Sequence, residues 1–82
     1  MKISFTDHAD HKLVILRRHN VKVTKVSVEK VLKDPERIVS GLAGRQIAEA
    51  SLDENHVLRV VFIREREDIL VVTMYPARRG RY

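Results

Sequence analysis

Apolar positions in the first third of the chain recur at helical spacing. Residues 2–5 predict a short strand, and Thr6 or Asp7 then offers an N-cap oxygen for a helix that runs to about Asn20. Three core-facing positions repeat along this helix at i, i+4 and i+7. They are Ala9, Leu13 and Leu16.

A second helix follows after the short connection formed by residues 21–23. Thr24 is its candidate cap, and apolar residues repeat at i, i+3 and i+4 before Pro35 ends the helix. The repeating positions are Val28, Val31 and Leu32. Because the connection is short, the two helices are expected to form an antiparallel hairpin.

The chain after Ile38 has the pattern of β-structure. Residues 45–52, 56–64 and 69–75 alternate or are rich in β-branched residues, and turn sequences separate them. The predicted order is therefore β-α-α-β-β-β. This order predicts a single α+β domain over residues 1–82, in which the helical hairpin covers one face of an antiparallel sheet.

Strand alternation sorts the last two strands into two faces. The face expected beneath the helices carries Leu58, Val60, Phe62, Leu70, Val72 and Met74. The opposite face carries Arg59 and Tyr75 among branched aliphatic residues and is too apolar for plain exposure to solvent. Either a partner chain, a self-dimer or a long ligand covers that face, or the protein's own tail does.

Composition narrows the classes of function. With 82 residues and a hydrophobic share of 44%, the chain suits one small globular domain. The absence of cysteine excludes disulfides and thiolate chemistry. The N-terminus has no long apolar run, so we expect neither a signal peptide nor a membrane span. We therefore expect a cytoplasmic protein. A formal net charge of +5 favours anionic partners, such as nucleic acid or an acidic protein.

Candidate chemistry concentrates near the C-terminus, where residues 75–82 carry three arginines, two tyrosines and no acid. Cutting RNA without a metal needs a base for the 2′-hydroxyl, cations for the charge that develops at phosphorus, and an acid for the leaving oxygen. Arginine suits the cationic role because its planar fork matches phosphate oxygens. The cationic candidates are Arg45, Arg59, Arg78 and Arg79, and the proton carriers are Tyr75, Tyr82 and His8. For any single arginine, a solvated or salt-bridged surface role is the simpler interpretation.

Metal and cofactor chemistry has little support in the sequence. His8 and His11 are spaced i, i+3 on one helix, but no third ligand accompanies them. No phosphate-cradling glycine loop, paired-carboxylate site or nucleophile motif is present. We therefore predict no metal site and no cofactor.

Short motifs spread over nearly the whole chain are similar to those of a known family. They are His8-Ala9, residues 17–21, residues 31–38, Gly44-Arg45, residues 58–62 and residues 71–76. In these motifs the chain resembles the small RelE/ParE-like toxin superfamily, and specifically its uncharacterised members close to BrnT. The resemblance implies a toxin of a type II toxin–antitoxin system that cleaves RNA, free or on the ribosome. It also implies a cognate antitoxin as partner. From the residues themselves we expect no cofactor and no membrane.

The resemblance also implies roles for individual residues. In such toxins, basic residues on the sheet bind phosphate and a C-terminal tyrosine or histidine moves protons. We therefore expect Arg59 and Arg79 to stabilise phosphate charge and Tyr75 or His8 to transfer protons. The residues expected to hold the RNA are Arg45, Arg78, Arg81 and Tyr82. His8 matches a helix-start histidine whose role in the BrnT-adjacent group is not assigned.

Departures from the family pattern keep two other functions open. No lysine follows Lys33, so a sheet lysine that would act as the base is missing. Some branches of the superfamily poison gyrase and others lack toxicity. The alternatives are therefore a noncatalytic module of the same fold that binds protein or nucleic acid, and a gyrase-directed toxin that uses its arginines for recognition.

Overall fold

The computed structural model describes residues 2–41 and 43–79, in which a five-stranded sheet carries two helices on one face. Two of the predicted RNA contacts, Arg81 and Tyr82, lie outside the described residues. The elements are β1 (Ile3–Phe5), α1 (Asp7–Arg18), α2 (Lys25–Lys33), β2 (Arg37–Ser40), β3 (Gln46–Ser51), β4 (His56–Glu65) and β5 (Asp68–Arg78). Neither described helix is long and apolar enough to cross a membrane.

The α+β class is confirmed, but the sheet differs from the prediction in two ways. Its strand order is β1-β5-β4-β3-β2, and β1 runs parallel to β5, so the sheet is mixed and not antiparallel throughout. The two helices connect β1 at one edge of the sheet to β2 at the opposite edge, and β1 pairs with the last strand, β5. The second difference is β2, an additional edge strand of four residues that pairs with β3. It is short and largely exposed, and therefore shows no clear alternation in the sequence.

Both helices form where the apolar spacing and the caps predict them. Thr6 and Thr24 are the N-caps, and each hydroxyl accepts a hydrogen bond from a backbone N–H in the first turn of its helix. Asn20 has a φ of 63°, the left-handed conformation expected just beyond the end of α1. The predicted core positions of the two helices, Ala9, Leu13, Leu16, Val28, Val31 and Leu32, are all buried.

A β-bulge in β5 changes which of its side chains reach the core. Val61 pairs with Thr73, and the next residue, Phe62, pairs with Val71, so Val72 has no partner in β4. One extra residue in a strand reverses the alternation beyond it. Leu58, Val60, Phe62 and Met74 are buried as expected, but Ile69 and Val71 join them. The prediction that Leu70 and Val72 would face the helices is therefore wrong.

The bulge also anchors the start of α1. The Thr6 N–H donates to the Val71 carbonyl at 3.0 Å, and the Thr6 hydroxyl donates to the Val72 carbonyl, also at 3.0 Å. The same hydroxyl accepts the Ala9 N–H at 3.0 Å. Thr6 thus joins the helix cap to the irregular point of β5, which fixes where α1 packs on the sheet.

Substituting Phe62 by alanine should destabilise the fold strongly. Phe62 is 1% exposed at the centre of the core, and such truncations cost about 3–5 kcal/mol. Urea denaturation of Phe62→Ala beside Ile63→Ala measures the effect, because Ile63 is the next residue of β4 and projects to the opposite, helix-free face. Equal costs for the two variants would contradict the assignment of faces.

Removing the Thr6 hydroxyl should cost more than removing the Thr24 hydroxyl. Thr6→Val loses both the helix cap and the bond to the bulge, about 2 kcal/mol together, whereas the Thr24 hydroxyl bonds only within the cap of α2. Thermal denaturation of Thr6→Val and Thr24→Val makes the comparison. A larger loss from Thr24→Val would show that the bulge does not depend on Thr6.

Candidate functional site

The sheet face that carries no helix gathers polar and aliphatic side chains from four strands, and we call it the open face. Both helices pack on the other side, α1 against β5 and α2 against β3 and β4. The strand registers place thirteen residues on the open face. They are Arg37, Val39, Ile47, Glu49, Ser51, Val57, Arg59, Val61, Ile63, Leu70, Thr73, Tyr75 and Ala77.

Four polar residues lie directly opposite one another across this face and form what we call the polar row. Tyr75 of β5 pairs with Arg59 of β4, Arg59 pairs with Glu49 of β3, and Glu49 pairs with Arg37 of β2. Neighbouring strands are about 4.8 Å apart, so each side chain reaches the next. The row carries two cations and one carboxylate and is therefore net positive.

Arg59 contacts both of its neighbours in the polar row. Its Nε lies 3.1 Å from Glu49 Oε2, and its Nη1 donates to the Tyr75 hydroxyl at 3.4 Å. The guanidinium carbon also lies 5.8 Å from the centre of the Tyr75 ring, within range of a cation–π interaction. Glu49 contacts Arg37 on its other side, with Arg37 Nε 3.6 Å from Glu49 Oε1. The central arginine is thus held between a carboxylate and a phenol.

The centre of the polar row is partly withdrawn from water. The side chains of Arg59 and Glu49 are 27% and 18% exposed. Arg59 Nε is buried and has no aligned hydrogen-bond acceptor among the described residues, although the carboxylate oxygen is close. The ion pair is therefore a contact between charges and not an in-line hydrogen bond. Partial burial strengthens such a contact relative to one at a fully solvated surface.

A second polar cluster, formed by Glu36, Ser51 and Arg79, lies at the end of the open face. The Ser51 N–H and hydroxyl donate to Glu36 Oε2 at 2.8 and 2.7 Å. Arg79 Nη1 lies 3.5 Å from Glu36 Oε1, and Arg79 Nη2 donates to the Ser51 hydroxyl. Hydrogen bonding from Ser51, more than the charge of Arg79, lowers the pKa of Glu36 below its usual value. The Arg79 cation is thus already paired with a carboxylate.

The structure brings three of the four predicted catalytic residues to one face. Arg59 and Tyr75 are in contact. Arg79 reaches Ser51, which is the next open-face position after Glu49 along β3. Alternate residues of a strand are about 7 Å apart, so the Arg79 cluster borders the polar row.

The remaining described candidates lie elsewhere. His8 is exposed in the first turn of α1, on the helix side of the sheet, and cannot join Arg59. Arg78 pairs with His56, and strand alternation places it on the helix side as well. Arg45 precedes β3 at the opposite end of the sheet, about 20 Å along the strand from Ser51. These three residues therefore do not extend the polar row.

Four residues of the site were not predicted from the sequence, namely Arg37, Glu36, Glu49 and Ser51. The sequence does carry a signal that could have identified Glu49, because Glu49 is an acidic residue in a predicted strand whose neighbours are mostly apolar. Arg37 and Glu36 fall in a segment to which no strand was assigned. Ser51 acquires its role only through the pairing of distant segments.

His56 lies at the β3–β4 turn, where its Nδ1 is 2.9 Å from Asp53 Oδ1, and this hydrogen bond lowers the pKa of Asp53. Within residues 2–41 and 43–79, no three His, Asp or Glu side chains converge closely enough to hold a metal ion.

Comparison with protein-family models, curated proteins and solved structures found no match to this chain. The resemblance to RelE/ParE-like toxins therefore remains a prediction from short motifs. Functional inference rests on the chemistry of the polar row and of the open face around it.

Replacing Glu36 by glutamine should lower stability at neutral pH but not in acid. The pKa of Glu36 is lowered on folding, so its carboxylate stabilises the fold above the unfolded value of about 4.3. That contribution is lost as the pH falls through the lower, folded pKa. Melting temperatures of wild type and Glu36→Gln should therefore differ at pH 7 and differ less at pH 3.

Glu67→Gln is the control for the Glu36 experiment, because Glu67 is exposed in the β4–β5 turn and forms no ion pair with a described residue. Changes that both variants share measure the loss of one negative charge and not the loss of the Glu36 contacts. A gap between wild type and Glu36→Gln that is the same at both pH values would contradict the role of the carboxylate.

Proposed function

We propose that the protein is the toxin component of a type II toxin–antitoxin system and cleaves RNA without a metal. The observation that carries the proposal is the contact between Arg59 and Tyr75 on the sheet face opposite α1 and α2. It supplies a cation and a proton-transferring hydroxyl at one point. The net charge of +5 suits an anionic substrate, and the motif resemblance points to the same chemistry.

In the proposed reaction the 2′-hydroxyl oxygen attacks the adjacent phosphorus. The bond from phosphorus to the 5′-oxygen breaks, leaving a 2′,3′-cyclic phosphate on one fragment and a 5′-hydroxyl on the other. Arg59 stabilises the extra negative charge on the phosphoryl oxygens in the transition state, since only one of its five N–H donors is used by Tyr75. Tyr75 carries out one of the two proton transfers, either from the 2′-hydroxyl or to the leaving 5′-oxygen. A water molecule carries out the other.

The rest of the polar row positions Arg59. The Glu49 carboxylate holds the guanidinium from the side away from Tyr75, and Arg37 in turn contacts Glu49. Two arginines around one carboxylate leave a net positive charge for the phosphate. Arg79, next to the row, is already paired with Glu36 and Ser51. The proposal therefore gives His8 no part in the reaction and gives Arg79 a secondary one.

A noncatalytic binding module is the second candidate function, and a separate observation favours it. Beside the polar row, the open face is aliphatic, with Val39, Ile47, Val61 and Ile63 all only partly buried. Such a surface suits the apolar side chains of a protein partner better than it suits a phosphate chain. A gyrase-directed toxin would use the face in the same way, with the arginines at its border.

RNA cleavage by purified protein tests the proposed function. Arg59→Ala should reduce the rate by about a hundredfold or more, by analogy with the loss of an oxyanion donor. Tyr75→Phe should slow turnover while leaving RNA binding intact, because it removes only proton transfer. Gel analysis of fragments, with identification of the 2′,3′-cyclic or 3′-phosphate end, gives the readout.

Arg64→Ala is the matched control for the cleavage assay. Arg64 lies on the same strand as Arg59 but on the helix side, where its guanidinium is 6.0 Å from the Phe62 ring. Its loss should leave cleavage near the wild-type rate. Full activity in Arg59→Ala/Arg79→Ala would refute the site, and inactive wild type on both free RNA and ribosomes would favour the binding module.

A further inference from the structure

A groove on the helix side of the sheet combines an aliphatic floor with a basic border. It lies between α2 and the end of β3 and encloses about 600 Å³. Val31, Ala50, Leu52 and Leu58 line it below. Because Ala50 and Leu52 remain partly exposed, the floor presents apolar surface to the outside.

Three lysines border this groove, and we call the feature the lysine groove, defined by Lys22, Lys30, Lys33, Val31, Ala50 and Leu52. No salt bridge joins any of the three lysines to another described residue. The only carboxylate among the residues that line the groove is that of Asp34. The groove is therefore net positive, and the charge of its lysines is available to a ligand.

The lysine groove continues towards the β3–β4 turn. A second depression of about 340 Å³ shares Lys22 and Leu52 with it, and adds Val21 and Pro76 to the apolar lining and the Asp53–His56 pair to the polar lining. The two together form an elongated surface and not an isolated pit. Such a shape suits a segment of polypeptide chain better than a compact small molecule.

This groove differs in chemistry from the open face on the other side of the sheet. All six lysines of the chain lie within the first 33 residues, and the cations of the open face are arginines. Lysine is a compact point charge on a flexible stem and pairs readily with single carboxylates, whereas the planar fork of arginine matches phosphate. The larger part of the groove also offers no aromatic side chain on which a base could stack. Lysines above aliphatic side chains favour an acidic peptide over RNA.

We propose that the lysine groove binds an acidic amphipathic segment of a partner protein. Apolar side chains of that segment cover Val31, Ala50 and Leu52, and its carboxylates pair with the bordering lysines. This inference does not depend on RNA cleavage, because the groove and the polar row lie on opposite sides of the sheet. Peptide binding by the lysine groove and RNA cleavage at the polar row can therefore each be disproved without affecting the other.

A designed peptide provides the test. The probe is a fluorescein-labelled 15-residue peptide with leucines at i, i+3, i+4 and i+7 and glutamates at the remaining positions, titrated by fluorescence anisotropy. Lys30→Glu/Lys33→Glu should weaken its binding at least about tenfold, or roughly 1.4 kcal/mol. A poly-glutamate peptide of equal length should bind much more weakly than the probe, because it cannot cover the apolar floor.

Arg17→Glu/Arg18→Glu is the matched control. It reverses two exposed charges in the last turn of α1, just as the test variant does in the last turn of α2, so the change in net charge and in the helix-end field is the same. Binding by the control should fall clearly less than binding by Lys30→Glu/Lys33→Glu, since neither Arg17 nor Arg18 lines the groove. Equal losses in both variants would show attraction to bulk charge alone and overturn the proposal.

Mapping of the bound peptide completes the experiment. Amide chemical shifts in the wild-type protein should change at Val31, Ala50 and Leu52 and not at Arg59 or Tyr75. A 15-nucleotide oligouridylate should not displace the peptide. Displacement by that RNA, or shifts confined to the open face, would overturn the proposal.

Discussion

The unpaired residue Val72 is the constraint on which the rest of the fold depends. Without the bulge that Val72 forms, Leu70 and Val72 would project to the helix side in place of Ile69 and Val71. With it, Phe62 lies opposite Val71 and the core continues to the edge strand β1. The same irregularity leaves a carbonyl free to accept the Thr6 hydroxyl, and so determines where α1 begins. A single extra residue thus couples the core, the edge strand and the first helix.

The helices and β4 could be predicted because their signals are local. Each helix has a threonine cap and a run of apolar residues at helical spacing, and both features depend on neighbours within one or two turns. Leu58, Val60 and Phe62 alternate in a strand without irregularity. β5 could not be predicted in this way. From Ile69 to Met74 nearly every residue is apolar, so both alternations look equally good and no glycine marks the bulge.

The same reasoning explains which parts of the candidate site could be predicted. Arg59 and Tyr75 lie on the side of the bulge where Val60 pairs with Met74, so simple alternation still places them correctly. The separation of His8 from Arg59 already followed from the predicted faces, because His8 belongs to a helix and Arg59 to the face opposite the helices. Glu49 and Glu36 depend on the register of β3 against β2 and β4, which is set by contacts distant in sequence. Because the sequence analysis did not identify these carboxylates, it treated Arg59 and Arg79 as unpaired, whereas each contacts a glutamate.

The separation of lysines from arginines has a practical consequence for handling the protein. Every lysine lies on a helix, in the linker between the helices or just before β1, and none lies in the strands that form the open face. Reagents that react with lysine amines, such as succinimidyl esters, therefore modify the helices, their linker and Lys2, and leave the polar row unmodified. A sensor surface that couples the protein through the amines of α1, α2 and their linker would present the open face to solution and would at the same time block the lysine groove.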